Sequence, residues 1–296
     1  MWASGLAAAI LIVLPAPARA ALTGSEKLAV VYDSILSAQF DRADAEIART
    51  CPPAPAEACR VLDAVSTWWR IQIDPDNRSR DRLLNDRART AGTAADAWTR
   101  RDPKNAEAWF YLASSYAPLV QWQVLRGERL GAARNANRVR EALERALQLD
   151  PAMADANFGI GVYQYYADVA SAAAKVVRWL LFLPGGDRAK GLQAIDTTRQ
   201  SGTLLRGEAD FQRYLIDIWY EHKPDEALAI LRSLDARYPS NPLFLQRIAE
   251  TYDAYLHDKR ASAEAWQALI DRAAHDPVYD RARVTALAQQ RRRALF

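Results

Sequence analysis

The chain has 296 residues, half of them hydrophobic, and a formal net charge of +3. That much apolar material supports one large domain or a short repeat array, and it excludes a disordered chain, which buries too little surface to offset its ordering entropy. The near balance of charge excludes a general nucleic-acid binder and a polybasic membrane binder.

Residues 1–20 read as a secretory signal peptide. Gly5–Leu14 is an apolar run broken by Pro15 and Pro17, and Ala18-Arg19-Ala20 supplies the small-x-small pattern of a cleavage site, so cleavage is predicted after Ala20. The run is too short to serve as a stable transmembrane anchor, which takes about 20 apolar residues. Its removal takes away Arg19 and lowers the net charge from +3 to +2. The mature chain is expected in the periplasm or outside the cell.

Residues 21–103 are expected to form N-terminal helical hairpins, one from Glu26–Ala38 with Ala43–Arg49 and one from Ala56–Ile73 with Arg78–Arg100. Cys51 and Cys59 lie between them and flank Pro52, Pro53 and Pro55. Two close cysteines in an exported chain predict a disulfide. A zinc site lacks partners, because His222, His257 and His275 are far away in sequence. No segment shows sustained strand alternation. Apolar residues recur at helical steps instead, as in Leu143, Ala146, Leu147 and Leu149. Asp74-Pro75, Asp102-Pro103, Asp150-Pro151, Asn241-Pro242 and Asp276-Pro277 are predicted helix stops, since proline disfavours helix at the residue before it. Residues 104–279 carry the most regular of these patterns, and 280–296 form a polar C-terminal capping helix with Arg291, Arg292 and Arg293.

The stretch from Ala106 has Trp109, Leu112, Ala113 and Tyr116 at its positions 4, 7, 8 and 11. Glu208–Asn241 has Phe211 at position 4, Ala227 at 20 and Pro239 at 32, with the bulkier Leu215 at 8. The unit from Pro242 has Leu245, Ile248, Ala249, Tyr252 and Ala261. These spacings resemble the tetratricopeptide repeat, a 34-residue pair of helices with small residues where the helices approach and aromatics between units. The resemblance covers nearly all of the mature chain. It implies an all-α, right-handed superhelix of antiparallel helix hairpins, five units plus a cap. It also implies a non-catalytic scaffold that binds partners through the concave surface of its first helices.

Two units are enlarged. Pro103–Pro151 exceeds one repeat by fourteen residues, which predicts a hairpin whose helices are each about 10 Å longer, at 1.5 Å per residue. Its polar positions include Arg126, Arg129, Arg134, Arg138 and Arg140, beside an apolar stripe of Trp122, Leu125 and Leu130. The functional reading is a basic, aromatic-edged lobe, and the plain alternative is a solvated arginine face. Pro151–Glu208 is also too long, and its excess, Val169–Leu183, reads as a third helix tucked against the array. Tyr163, Tyr165 and Tyr166 precede it, Trp179 and Phe182 lie in it, and Asp187 after it is a predicted N-cap. These aromatics either line a pocket or only seal the core.

Gly185-Gly186 is no phosphate loop and Gly159-Ile160-Gly161 no dinucleotide fingerprint. Hydrolase and metalloprotease motifs are absent, and no cofactor is expected. The leading expectation is an exported scaffold that engages a protein or peptide partner of the cell envelope through Trp109, Trp122, Tyr163 and Tyr166, with Arg126 and Arg129 as charge partners. The alternative is a small-molecule-binding accessory component of a solute transporter, with a pocket around Trp179, Phe182 and the tyrosines. An enclosed aromatic-lined cavity favours the ligand, and an open groove favours peptides or proteins.

Overall fold

The computed structural model describes residues 22–172, Lys175, Trp179, 184–276 and 279–295. Among the described residues there are thirteen α-helices and no strand. In chain order they are α1 (Ser25–Leu36), α2 (Phe40–Thr50), α3 (Ala56–Ile73), α4 (Asp81–Arg101), α5 (Ala106–Arg126), α6 (Arg129–Leu149), α7 (Ala156–Val169), α8 (Arg188–Ser201), α9 (Arg206–Trp219), α10 (Pro224–Arg237), α11 (Pro242–Ala254), α12 (Lys259–His275) and α13 (Arg281–Arg293). The signal peptide and most of the expected helix Val169–Leu183 lie outside the described residues.

Helix boundaries follow the local chemistry. Asp74, Asp102, Asp150 and Asp276 each cap the C-terminus of a helix, at the Asp-Pro stops read from the sequence. Asn241-Pro242 works the other way. The Asn241 side chain accepts from Leu243 N at 3.0 Å and Pro242 occupies the first turn, so the pair starts α11, while α10 has already ended at Tyr238. Asp187 caps α8 as expected, accepting from Lys190 N at 3.0 Å. Cys51 and Cys59 are disulfide-bonded, which ties the end of α2 to the first turn of α3.

Four hairpin turns share one device, a single residue in the left-handed region: Ala38 (φ 57°), Gly127 (φ 77°), His222 (φ 53°) and His257 (φ 56°). The turns at His222 and His257 have the same bonds. Lys223 N donates to Asp217 O in one and Asp258 N to Tyr252 O in the other, and both bonds span six residues. The two most regular hairpins therefore repeat in backbone detail as well as in side-chain spacing. The enlarged hairpin has two helices of 21 residues, against 14 each for α9 and α10. Seven extra residues add about 10 Å to each helix.

Successive helices pack on one another, most extensively α5 on α6 and α7 on α8. The chain also returns on itself. Trp69 of α3 is fully buried against Phe211 of α9 (ring centroids 5.3 Å) and Phe244 of α11 (6.1 Å). The Tyr238 hydroxyl donates to Asp33 at 2.8 Å, and Asn241 Nδ2 donates to the Leu36 carbonyl at 2.7 Å, both across 205 residues. Gly207 permits this approach. A Cβ there would come within 2.4 Å of Leu36 Cδ1 and 2.9 Å of the Tyr238 hydroxyl. Arg283 of α13 reaches Asp74 at the end of α3. In a linear array each unit touches only its neighbours; here the first hairpin is held by the fourth quarter of the chain.

Candidate functional site

Beside this closure lies a half-open cavity of about 750 Å³. Its walls come from α1, α3, α5, α6, α7 and α9, and they are overwhelmingly apolar, with Leu28, Val65, Ala117, Ala136, Leu143 and Val162 representative. Sequence chemistry shapes it in two places. Pro118 sits inside α5 and lines the wall, as does Ser114. Proline has no N–H, so the Ser114 carbonyl loses its helical partner. Gly159 of α7 lines the opposite side, where a Cβ would stand 2.4 Å from Leu143 Cδ1.

The described lining carries three charged side chains, Arg129, Asp155 and Glu208. Arg129 is exposed, beside the exposed Val124 and Leu130, and marks the rim. Asp155 is buried just before α7 and is used up structurally. Its carboxylate accepts the backbone N–H groups of Thr203, Leu204 and Leu205, the shortest at 2.8 Å, and so fixes the entry to α9. Burial still pushes its carboxyl up, against the lowering effect of those bonds.

Glu208 is 5% exposed and forms the polar floor. Its Oε2 accepts from Trp69 Nε1 at 3.0 Å and from the Tyr32 hydroxyl at 3.2 Å. A weaker third contact comes from the Gln121 amide, whose Oε1 is occupied by Trp68 Nε1 at 2.8 Å. Burial pushes the Glu208 carboxyl above the usual range, and its three donors only partly oppose this. No cation among the described residues pairs with it. The Tyr111 hydroxyl, also on the lining, finds no hydrogen-bond partner among the described residues.

The expected site residues divide. Tyr163, Tyr166 and Arg129 do line the cavity. The Tyr163 hydroxyl donates to the Pro184 carbonyl at 3.0 Å, and its ring lies under Arg140; Tyr166 accepts from Gln212 Nε2 at 2.8 Å. Trp122 is not an exposed contact residue, because it is buried in the core of the long hairpin. Arg126 is not a free charge partner. Its side chain is 8% exposed, and its guanidinium makes a bidentate pair with Asp81 (2.8 and 2.9 Å) and donates to the Pro75 carbonyl, which clamps the end of α5 to the start of α4. Trp109 is half-buried, packed on the core, with Nε1 donating to the Pro103 carbonyl at 3.0 Å. Trp179 is 74% exposed and away from the lining, and Phe182 lies outside the described residues.

The sequence reading missed Glu208, Tyr32, Trp69 and Gln121. A signal was present for one of them. Glu208 interrupts an apolar stripe of Leu204, Phe211 and Leu215 at helical spacing, and an acid in such a stripe is costly unless something requires it.

No protein-family model matches the chain, and no curated protein matches its sequence. The described residues contain no group of His, Cys, Asp and Glu placed to hold a metal ion, and no described helix is long and apolar enough to cross a membrane. The arrangement offers apolar contact and a few fixed polar groups, which suits holding a molecule in place.

Proposed function

We propose that this protein is a non-catalytic binding protein for an apolar small molecule. The observation that carries the reading is the 750 Å³ cavity, since ligand sites of about 300–1,000 Å³ with apolar walls and few polar groups are the usual form of small-molecule pockets. The cavity's size and apolar walls support the small-molecule alternative, although its mouth is half-open. The shared turn geometry at His222 and His257 supports reading the hairpins as tetratricopeptide-like units wound into a tight superhelix. The disulfide supports an oxidising compartment, consistent with export to the periplasm or beyond. In that setting the protein fits the ligand-binding accessory component of a solute transporter. Protein–protein contact remains a second reading, supported by Val124, Leu125 and Leu130, all exposed where the long hairpin turns.

The test is uptake of the neutral fluorescent probe N-phenyl-1-naphthylamine, read as an emission increase, in the wild type and in Ala117→Trp. The indole would occupy the cavity between α5 and its opposite wall. Saturable uptake by the wild type, lost in the folded variant, supports the reading. Equal uptake by both proteins, or none by either, rejects it.

A further inference from the structure

The floor of the cavity specifies more than apolarity. A carboxylate has about four acceptor positions, two on each oxygen. Trp69 and Tyr32 both bond Oε2 of Glu208, and only the weaker Gln121 contact remains to be placed. All three partners are donors. Indole N–H can only donate, and Gln121 has already committed its oxygen to Trp68. Such a shell suits the ionised acid. Yet every donor is neutral, and the facing titratable groups are themselves acidic or neutral, namely Tyr32 from α1, Tyr111 from α5 and Asp155. Among the described lining residues the one cation, Arg129, stands at the exposed rim. A buried charge without a counter-charge is expensive.

Resting on the reading above of a small-molecule cavity, we infer that its ligand is a cationic amphiphile: an apolar body along the walls of α3, α5, α6 and α7, and a protonated amine seated against Glu208. An ammonium supplies N–H donors for the free acceptor capacity of Oε1 and a positive charge that the shell lacks. The indole of Trp68 and the ring of Tyr32 line the same region and favour a cation over a neutral head. A carboxylate head would face Glu208 and Asp155 together and be rejected. A hydroxyl head would gain a hydrogen bond without compensating the charge. Burial holds the Glu208 carboxyl above its usual range, and a bound cation would draw it back down.

The test displaces N-phenyl-1-naphthylamine from the wild-type protein at pH 7.5 with three probes of one chain length: dodecylamine, 1-dodecanol and dodecanoate. Expected is displacement by the amine at about tenfold lower concentration than the alcohol, in line with a charge-assisted bond, and weakest displacement by dodecanoate. In Glu208→Gln, with folding checked by thermal unfolding, the amine-to-alcohol ratio falls to about one. Equal or better displacement by dodecanol or dodecanoate in the wild type overturns the inference, as does a Glu208→Gln variant that keeps the amine preference. In either case the cavity reading stands. Failure of all three probes to displace, with no saturable uptake, overturns both. The wild-type comparison decides the matter without any variant.

Discussion

Trp69→Phe tests the closure of the fold most directly. Trp69 is fully buried between α3 and the returning helices α9 and α11, and its Nε1 donates to the Glu208 carboxylate at 3.0 Å. Phenylalanine keeps a ring in the aromatic cluster but removes the donor and part of the volume. A hydrogen bond to a charged group contributes about 1.5–3 kcal/mol. The missing pyrrole portion leaves a gap that costs about 1 kcal/mol at roughly 24 cal/mol per Å³. The expected loss is therefore about 2.5–4 kcal/mol, and a midpoint lower by roughly 5–15 °C for a chain of this size. Circular dichroism during thermal unfolding measures the total. Hydrogen exchange locates it, and protection is expected to fall in α1, α9 and α11 together, because these elements meet at Trp69 and Glu208. A loss below about 1 kcal/mol, or faster exchange confined to α3, would refute the argument that this contact holds the two ends of the chain together.

Three further outcomes are expected. Arg126→Ala strips a part-buried bidentate pair from Asp81, so urea unfolding should show a loss of about 1–3 kcal/mol, whereas Arg129→Ala at the exposed rim should stay within about 0.5 kcal/mol. Glu208→Gln should change how stability depends on pH. The folded carboxyl titrates above its ordinary 4.5 because burial disfavours the charge. The wild type therefore keeps this group's full contribution below that value and loses it as pH rises through the folded one, so the variant should gain stability relative to wild type across that window; a flat difference curve would count against it. Replacing both cysteines with serine opens a loop with a sequence separation of 8, and denaturant titration should show a loss of roughly 2–3 kcal/mol by the chain-entropy relation.

The local architecture was legible in the sequence because its causes are local. Asp74, Asp102 and Asp150 end helices through the proline that follows, Asp187 caps α8 with its own side chain, and fourteen surplus residues between Pro103 and Pro151 became two long helices. The pairing of Cys51 with Cys59 had the same short range. Periodicity gives the face on which a residue lies and not the partner it meets. Arg126 looked like a solvated charge, yet its partner Asp81 is 45 residues away on another helix. Trp122 had the spacing of an edge residue and lies in the core. The floor of the cavity was less visible still. Tyr32, Trp69 and Glu208 meet across 176 and 139 residues; Glu208 stands out only as an acid in an apolar stripe, and Tyr32 and Trp69 alone pass for ordinary helix content. What joins them is the return of the chain, which no single unit encodes.

That return has an evolutionary consequence. An open stack can gain or lose a unit by duplication or deletion, since a new neighbour simply extends the pile. Here Asn241 must arrive at the Leu36 carbonyl and Tyr238 at Asp33, so one hairpin more or fewer would carry these groups past one another. These contacts constrain the number of hairpins between them, and change of specificity is left to side-chain substitution.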